Sequence, residues 1–259
     1  MQLNIFRVLF TTILISVATI MYAQEIRVLT YNIHHGEDVN GNVDLTQIAA
    51  VIKKARPDIV ALQEVDSMTN RTQKVDQLKE LAMLTGMQYF YGKSMDYSGG
   101  GYGVGILTRL PISNRFVTRL PNFEKSEPRV AATIELTLQN NKRMLFTSIH
   151  LDYVKDSSER IEQAKKLIEV FSSNDLPSVL AGDFNAPPTE TTMKDIVFGL
   201  YTETDPSGNV LSFPSIKPEI KIDYVLTSKK HQWKNIYYEV IDEKVASDHR
   251  PVLSVIQLK

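Results

Sequence analysis

Beyond residue 25 the chain alternates short apolar runs with amphipathic stretches. Ile26 to Tyr31 predicts a strand that runs directly into the polar Asn32-Ile33-His34-His35-Gly36. Leu45, Ile48, Ala49 and Ile52 then recur at helical spacing until Ala55-Arg56-Pro57 closes the element, because proline disfavours the helical conformation of the residue before it. Ile59 to Leu62 is a continuous apolar run suited to a buried strand, and it ends at Gln63-Glu64. Val75, Leu78, Leu81, Ala82 and Leu84 predict a second helix that stops at Gly86, followed by strands over Gln88 to Tyr91 and Val104 to Thr108. Between those strands, Ser98-Gly99-Gly100-Gly101-Tyr102-Gly103 predicts a loop.

The second half repeats this grammar. Arg129 to Leu138 and Arg143 to His150 predict a hairpin across Gln139-Asn140-Asn141-Lys142. Ile161, Ala164, Leu167, Ile168 and Phe171 mark a helix opened near Ser158, and Val179 to Ala181 leads into Gly182-Asp183-Phe184-Asn185. Strands over Ile222 to Leu226, Ile236 to Ile241 and Pro251 to Leu258 complete the set. About ten strands against three or four helices, with at least one hairpin, predict an α/β fold of two mixed sheets packed together with helices outside. No biased linker or short repeat interrupts the pattern, so one domain is expected over residues 24–259.

Composition narrows the setting. Lys and Arg total 29 against 30 for Asp and Glu, so no global charge draws the protein to nucleic acid. Arg7 is the only charge before Glu25, and Leu9 to Ala23 is mostly apolar, which predicts an export signal over residues 1–23 with cleavage beside Ala23. A membrane anchor is the competing reading, although the apolar run is shorter than the roughly 20 residues a spanning helix needs. The expectation is a periplasmic or secreted protein, monomeric, whose mature chain does not insert stably into a membrane. The absence of cysteine removes disulfides and metal–thiolate sites from consideration.

Several predicted strands end in polar side chains that a core does not accept unpaired: Asn32, Glu64, His150, Asp183 with Asn185, and Asp223. Ser247-Asp248-His249-Arg250-Pro251 adds a carboxylate and an imidazole just before the last strand. Collected on one rim, these groups offer the hard oxygen ligands and phosphate-orienting donors suited to Mg²⁺ or Mn²⁺. Each has a plainer reading: an Asx-turn for Asp183 and Asn185, a helix cap for Glu64, a turn residue for Asn32, and structural roles for His150, Asp223, Asp248 and His249.

The ordered segments Tyr31-Asn32-Ile33, Leu62-Gln63-Glu64-Val65, Ser148-Ile149-His150-Leu151, Gly182-Asp183-Phe184-Asn185, Ile222-Asp223-Tyr224-Val225 and Ser247-Asp248-His249-Arg250-Pro251 resemble the endonuclease/exonuclease/phosphatase superfamily. The resemblance implies a four-layer α/β sandwich and a divalent-metal-dependent phosphate-ester hydrolase, foremost a phosphodiesterase attacking phosphorus with activated water. It implies one ion, Mg²⁺ or Mn²⁺ with Ca²⁺ as the third candidate, held by Glu64 with Asn32 and Asp248. His249, steered by Asp223, would be the general base or the charge that orients the water. Asp183 would position or deprotonate the nucleophile, Asn185 would hold a phosphoryl oxygen, and His150 would stabilise charge in the transition state.

Arg71 and Arg129 are candidates for substrate oxygen contacts, or else partners of structural carboxylates. His34 is a substrate or supporting residue at a position where some nuclease relatives carry an acid, and Tyr102 and Tyr153 either stack on substrate or pack on the rim. The expected partner is a small phosphorylated molecule or lipid headgroup. An extracytoplasmic nuclease and a non-catalytic phosphate-binding module are the alternatives.

Overall fold

The computed structural model describes residues 24–139 and 141–259, so the predicted export signal and Asn140 of the predicted hairpin turn lie outside the described residues. The first sheet holds β1 (Glu25–Asn32), β2 (Ile59–Ser67), β3 (Gln88–Tyr97), β4 (Gly100–Thr108), β11 (Trp233–Val240) and β12 (Val252–Leu258) in the order β11-β12-β1-β2-β4-β3. The second holds β5 (Ile112–Arg119), β6 (Val130–Thr137), β7 (Arg143–His150), β8 (Ser178–Asp183), β9 (Tyr201–Glu203) and β10 (Asp223–Ser228) in the order β5-β6-β7-β8-β10-β9. Each sheet is antiparallel except at its centre, where β1 runs parallel to β2 and β7 parallel to β8. Helices α1 (Leu45–Ala55) and α2 (Gln77–Thr85) cover the first sheet, and α3 (Ser158–Ser172) covers the second, giving the expected four-layer sandwich.

Strand alternation explains the layering. Val28, Ile59, Ala61, Ile106, Ala132, Ile134, Phe146, Ala181 and Val225 face the opposite sheet and form the central core. Their neighbours Leu29, Tyr31, Val60 and Leu62 turn outward to meet Ile48 and Ile52 of α1 and Leu78 and Leu81 of α2. Asp44 starts α1 by accepting the backbone N–H groups of Thr46 and Gln47, and Arg56 in the left-handed conformation ends it before Pro57.

The glycine-rich stretch differs from the expected loop. Only Ser98 and Gly99 make the turn, and Gly100 already begins β4, a central strand between β2 and β3. A Cβ at Gly103 would sit 2.1 Å from the carbonyl oxygen of Gly92, so the glycines admit a close backbone approach inside the sheet. Two strands, β5 and β9, had no clear sequence pattern: β5 is a half-exposed edge with the polar sequence ISNRFVTR, and β9 has three residues. Val75 stays outside α2, which begins after its cap Asp76.

Candidate active site

The parallel pairs set the site, because the ends of β1, β2, β7 and β8 come together at one edge of the sandwich. Asn32 closes β1 and Asp183 closes β8; His150, at the end of β7, is in register with Asp183. Asp223 opens β10 directly opposite Asp183. The close approach of β8 to β7 requires Gly182, where a Cβ would lie 2.0 Å from the carbonyl oxygen of Ile149. Glu64 reaches the same edge through a bulge: the pairing of β2 with β4 slips between Leu62 and Val65, and Glu64 takes φ of 58°. Below the floor, Gln63 ties the sheets together, accepting from Thr30 Oγ1 at 3.2 Å and donating to Ser148 Oγ at 3.4 Å.

Asn32 is the hub. Its Nδ2 donates to Glu64 Oε1 at 3.1 Å and to Asp183 Oδ2 at 3.2 Å, while its Oδ1 accepts the backbone N–H of His34 at 3.1 Å. Asp183 Oδ2 also lies 3.6 Å from His150 Nε2 and 3.7 Å from His249 Nε2. Its other oxygen accepts the backbone N–H of Asn185 at 2.8 Å, so the Asx-turn and a place in the cluster coexist. Asn185 is anchored in turn by donating Nδ2 to the carbonyl of Leu151 at 3.0 Å.

The two buried histidines have opposite surroundings. His249 Nδ1 meets Asp223 Oδ2 at 3.0 Å, and Ser212 Oγ donates to the same oxygen at 2.6 Å. Burial works against the imidazolium, but Asp223, with Asp183 and Asp248 behind it, lifts His249 from the ordinary 6.5 to about 10. His150 instead receives a hydrogen bond from Arg129 Nη1 on Nδ1 at 2.8 Å. A guanidinium only donates, so Nδ1 is the acceptor and the proton sits on Nε2, facing Asp183. Burial and the adjacent Arg129 charge hold His150 well below its ordinary value, as a neutral donor. Burial and the Asp223 charge raise Asp183 well above the usual carboxylate range. Glu64 goes the other way: burial opposes its ionisation, but His35 and Asn32 hold it well below that range.

A cavity of about 360 Å³ opens above this floor, lined by Glu64, Asp183, Asn185, Asp248, His150 and His249 and walled by Arg71, Tyr97, Tyr102, Glu127, Arg129, Tyr153 and Phe213. All the predicted site residues line it except Asn32 and Asp223, which lie just beneath and hold the floor in place. Neither arginine is a loose cation. Arg71 grips the buried Asp66 with two hydrogen bonds of 2.7 and 2.9 Å and lies over Tyr97, and Arg129 pairs with Glu127 at 3.0 Å while orienting His150. The site roles of Glu37, Glu127, Ser212 and Phe213 carried no signal in sequence. Each acts through a side-chain contact that only the fold creates, as when the Phe213 ring packs 4.6 Å from that of His249.

Two groups of metal-ligating side chains occur among the described residues, each with its ligand atoms within 4.8 Å of one another: His34, His35 and Glu64, and Asp183, Asp223 and His249. The sequence model of the endonuclease/exonuclease/phosphatase family matches residues 29–249, and the chain belongs to that family. No curated protein matches it.

Among solved structures, an endonuclease/exonuclease/phosphatase family protein from Bacteroides thetaiotaomicron superposes with a TM-score of 0.77 at 18% identity, covering 92% of this chain and 99% of that one. An endonuclease/exonuclease/phosphatase from Beutenbergia cavernae gives 0.75 at 23% identity, covering 90% and 72%. A mannosyl-6-phosphatase from Bacteroides thetaiotaomicron gives 0.72 at 19% identity, covering 90% and 99%. At these identities the likeness is one of fold. Family membership and the two ligand clusters together support metal-dependent phosphoesterase activity and a divalent-metal requirement.

Proposed function

We propose that the protein cleaves the phosphodiester of a small or headgroup-sized molecule outside the cytoplasm, after loss of residues 1–23. The observation that carries this reading is the charge balance of the cavity. Its volume of about 360 Å³ suits a compact ligand, and its two guanidiniums, Arg71 and Arg129, are already neutralised by Asp66 and Glu127. A phosphomonoester dianion would meet no unpaired guanidinium to match its second charge, whereas a diester brings one negative charge.

Glu64, with Asn32 and Asp248, would hold a divalent ion, which would supply charge neutralisation at phosphorus and lower the pKa of water. The carboxylates suit Mg²⁺, Mn²⁺ or Ca²⁺. The protein's own groups divide the remaining work. Asp183, raised towards neutrality, accepts the proton of the attacking water; His150 donates from Nε2 to a phosphoryl oxygen. The His249 imidazolium, held by Asp223, offsets the negative charge that grows there. Asn185 presents its amide to the same group.

Bis-p-nitrophenyl phosphate, p-nitrophenyl phosphate, glycerophosphodiesters, sugar phosphates, sphingomyelin and an oligonucleotide, each with and without chelator, test the reading. The sugar phosphates are included because a fold relative is a mannosyl-6-phosphatase. Turnover of small diesters that EDTA abolishes and Asp183→Ala removes is expected. Preferential cleavage of the oligonucleotide, or of monoesters, would overturn the substrate assignment.

A further inference from the structure

The His-His-Gly turn after β1 is not explained by the chemistry above. His34 and His35 both take φ of 44°, a left-handed conformation that costs L-residues roughly 1–2 kcal/mol each. Gln77 of α2 fixes the turn by donating to the carbonyl of His35 at 2.5 Å. The result points two imidazoles at Glu64.

His35 is nine-tenths buried, and its two ring nitrogens have different environments. Nε2 lies 3.3 Å from Glu37 Oε2, and a carboxylate can only accept, so the proton resides on Nε2. Nδ1 is buried, makes no hydrogen bond, and lies 4.0 Å from Glu64 Oε2, too far for one. A cation lodged between the two would be held by both. Two ligand atoms each roughly 2.0–2.2 Å from one ion are separated by roughly 3–4 Å, which is the gap found here. The pairing of a carboxylate with the far nitrogen of a histidine is how metal-bound imidazoles are oriented and made more basic.

Resting on the metal-dependent reading above, we propose that His35 and His34 join Glu64 as ligands of the divalent ion, with Glu37 as the positioning residue. The centre therefore selects nitrogen-accepting first-row ions, Co²⁺ and Zn²⁺ and more weakly Mn²⁺, over Mg²⁺ and Ca²⁺. Carboxylates and amides alone would favour the hard ions; two imidazoles reverse that order.

The test reads binding rather than turnover. Calorimetric titration of the metal-free full chain with Co²⁺, Mn²⁺ and Mg²⁺ is expected to give Co²⁺ the tightest site, with H35A lowering its affinity and leaving Mg²⁺ little changed. E37Q is expected to weaken Co²⁺ by about 10- to 100-fold. Pulsed EPR of the Mn²⁺-loaded wild type should show imidazole ¹⁴N coupling that vanishes in the H34A/H35A variant, and this measurement on the wild type does not depend on any variant folding. Mn²⁺ bound without ¹⁴N coupling, coupling that survives in H34A/H35A, or equal affinity for Mg²⁺ and Co²⁺ would overturn the proposal. Ester hydrolysis accompanying any of these outcomes would leave the phosphoesterase reading standing. Failure to bind any divalent ion would remove both.

Discussion

Replacing Asp223 by Asn tests the electrostatics of the site with almost no change in shape. Asp223 is 1% exposed and presents one oxygen to His249 Nδ1 at 3.0 Å and to Ser212 Oγ at 2.6 Å. The amide keeps the volume but removes the charge that lifts His249 from the ordinary 6.5 to about 10. Burial remains and pulls His249 down while Asp183 and Asp248 still pull it up, so in the variant it falls from about 10 towards its ordinary value. A group at the ordinary 6.5 is protonated in roughly one molecule in ten at pH 7.5, so the imidazolium is depleted by up to about 10-fold. The amide also no longer selects the Nδ1–H tautomer. Together these place the loss in kcat within about 10²- to 10⁴-fold, the range typical of a lost acid–base partner, with little change in KM.

The direction with pH separates two mechanisms. If the imidazolium is the working form, D223N activity recovers as pH falls from 8 to 6. If neutral His249 is the base, the substitution frees it at neutral pH, and activity rises or holds. Steady-state rates on a small diester from pH 6 to 9, with ¹⁵N NMR of the His249 ring, decide between them. A variant within about threefold of wild type at every pH would refute the assignment of His249 as the charge-compensating group.

Arg129→Gln should lower kcat by about 10- to 100-fold with KM nearly unchanged and scramble the His150 tautomer by NMR, because the guanidinium orients His150; a rise confined to KM would show instead that it binds phosphate. The metal-free protein should lose stability as pH rises. His249 contributes stability that is fully present below its unfolded value of 6.5 and is lost as pH passes about 10, a few kcal/mol in order of magnitude, and thermal melts of chelated protein should show a decline that H249Q flattens. Asp44→Ala removes the cap of α1 and should cost about 0.5–2 kcal/mol in urea unfolding without altering kcat.

The sequence carried the frame well because both sheets are built from local signals. Apolar runs such as Ile59 to Leu62 and Val179 to Ala181 end in acids that no core accepts, and those ends marked the floor of the cavity. Arg71 and Arg129 were legible as cations with two open uses, and the structure pairs each with a carboxylate, since their partners Asp66, Glu127 and His150 are set by strand pairing and by side-chain reach. The glycines of 99–103 illustrate the reverse error: a flexible composition served close strand packing rather than a loop, because the need for glycine arises from the backbone of Gly92 across the sheet. His35 posed the hardest case, since its unpartnered nitrogen exists only once Glu37 and Glu64 lie on either side of it.

One architectural fact accounts for why so many acids tolerate one another at this edge. The units β1-α1-β2 and β7-α3-β8 occupy corresponding places in the two sheets, and each delivers its parallel strand ends to the same rim. From one unit come Asn32 and Glu64, and from the other His150 and Asp183, with Asp223 added by β10 and His249 by the loop before β12. Neither unit alone could hold its carboxylate in this form. Glu64 and Asp183 share one donor, Asn32 Nδ2, which reaches Asp183 across the divide between the sheets. The Gln63–Ser148 bridge beneath them fixes that divide at hydrogen-bond length. Gln63→Leu removes one of two ties between the sheets here, since Ser148 Oγ still donates to the carbonyl of Leu62 at 3.2 Å, and it leaves the buried Thr30 hydroxyl without its acceptor. A loss of about 1–3 kcal/mol in unfolding together with slower turnover of small diesters is the expected outcome, and unchanged kcat would show that strand packing alone sets the spacing.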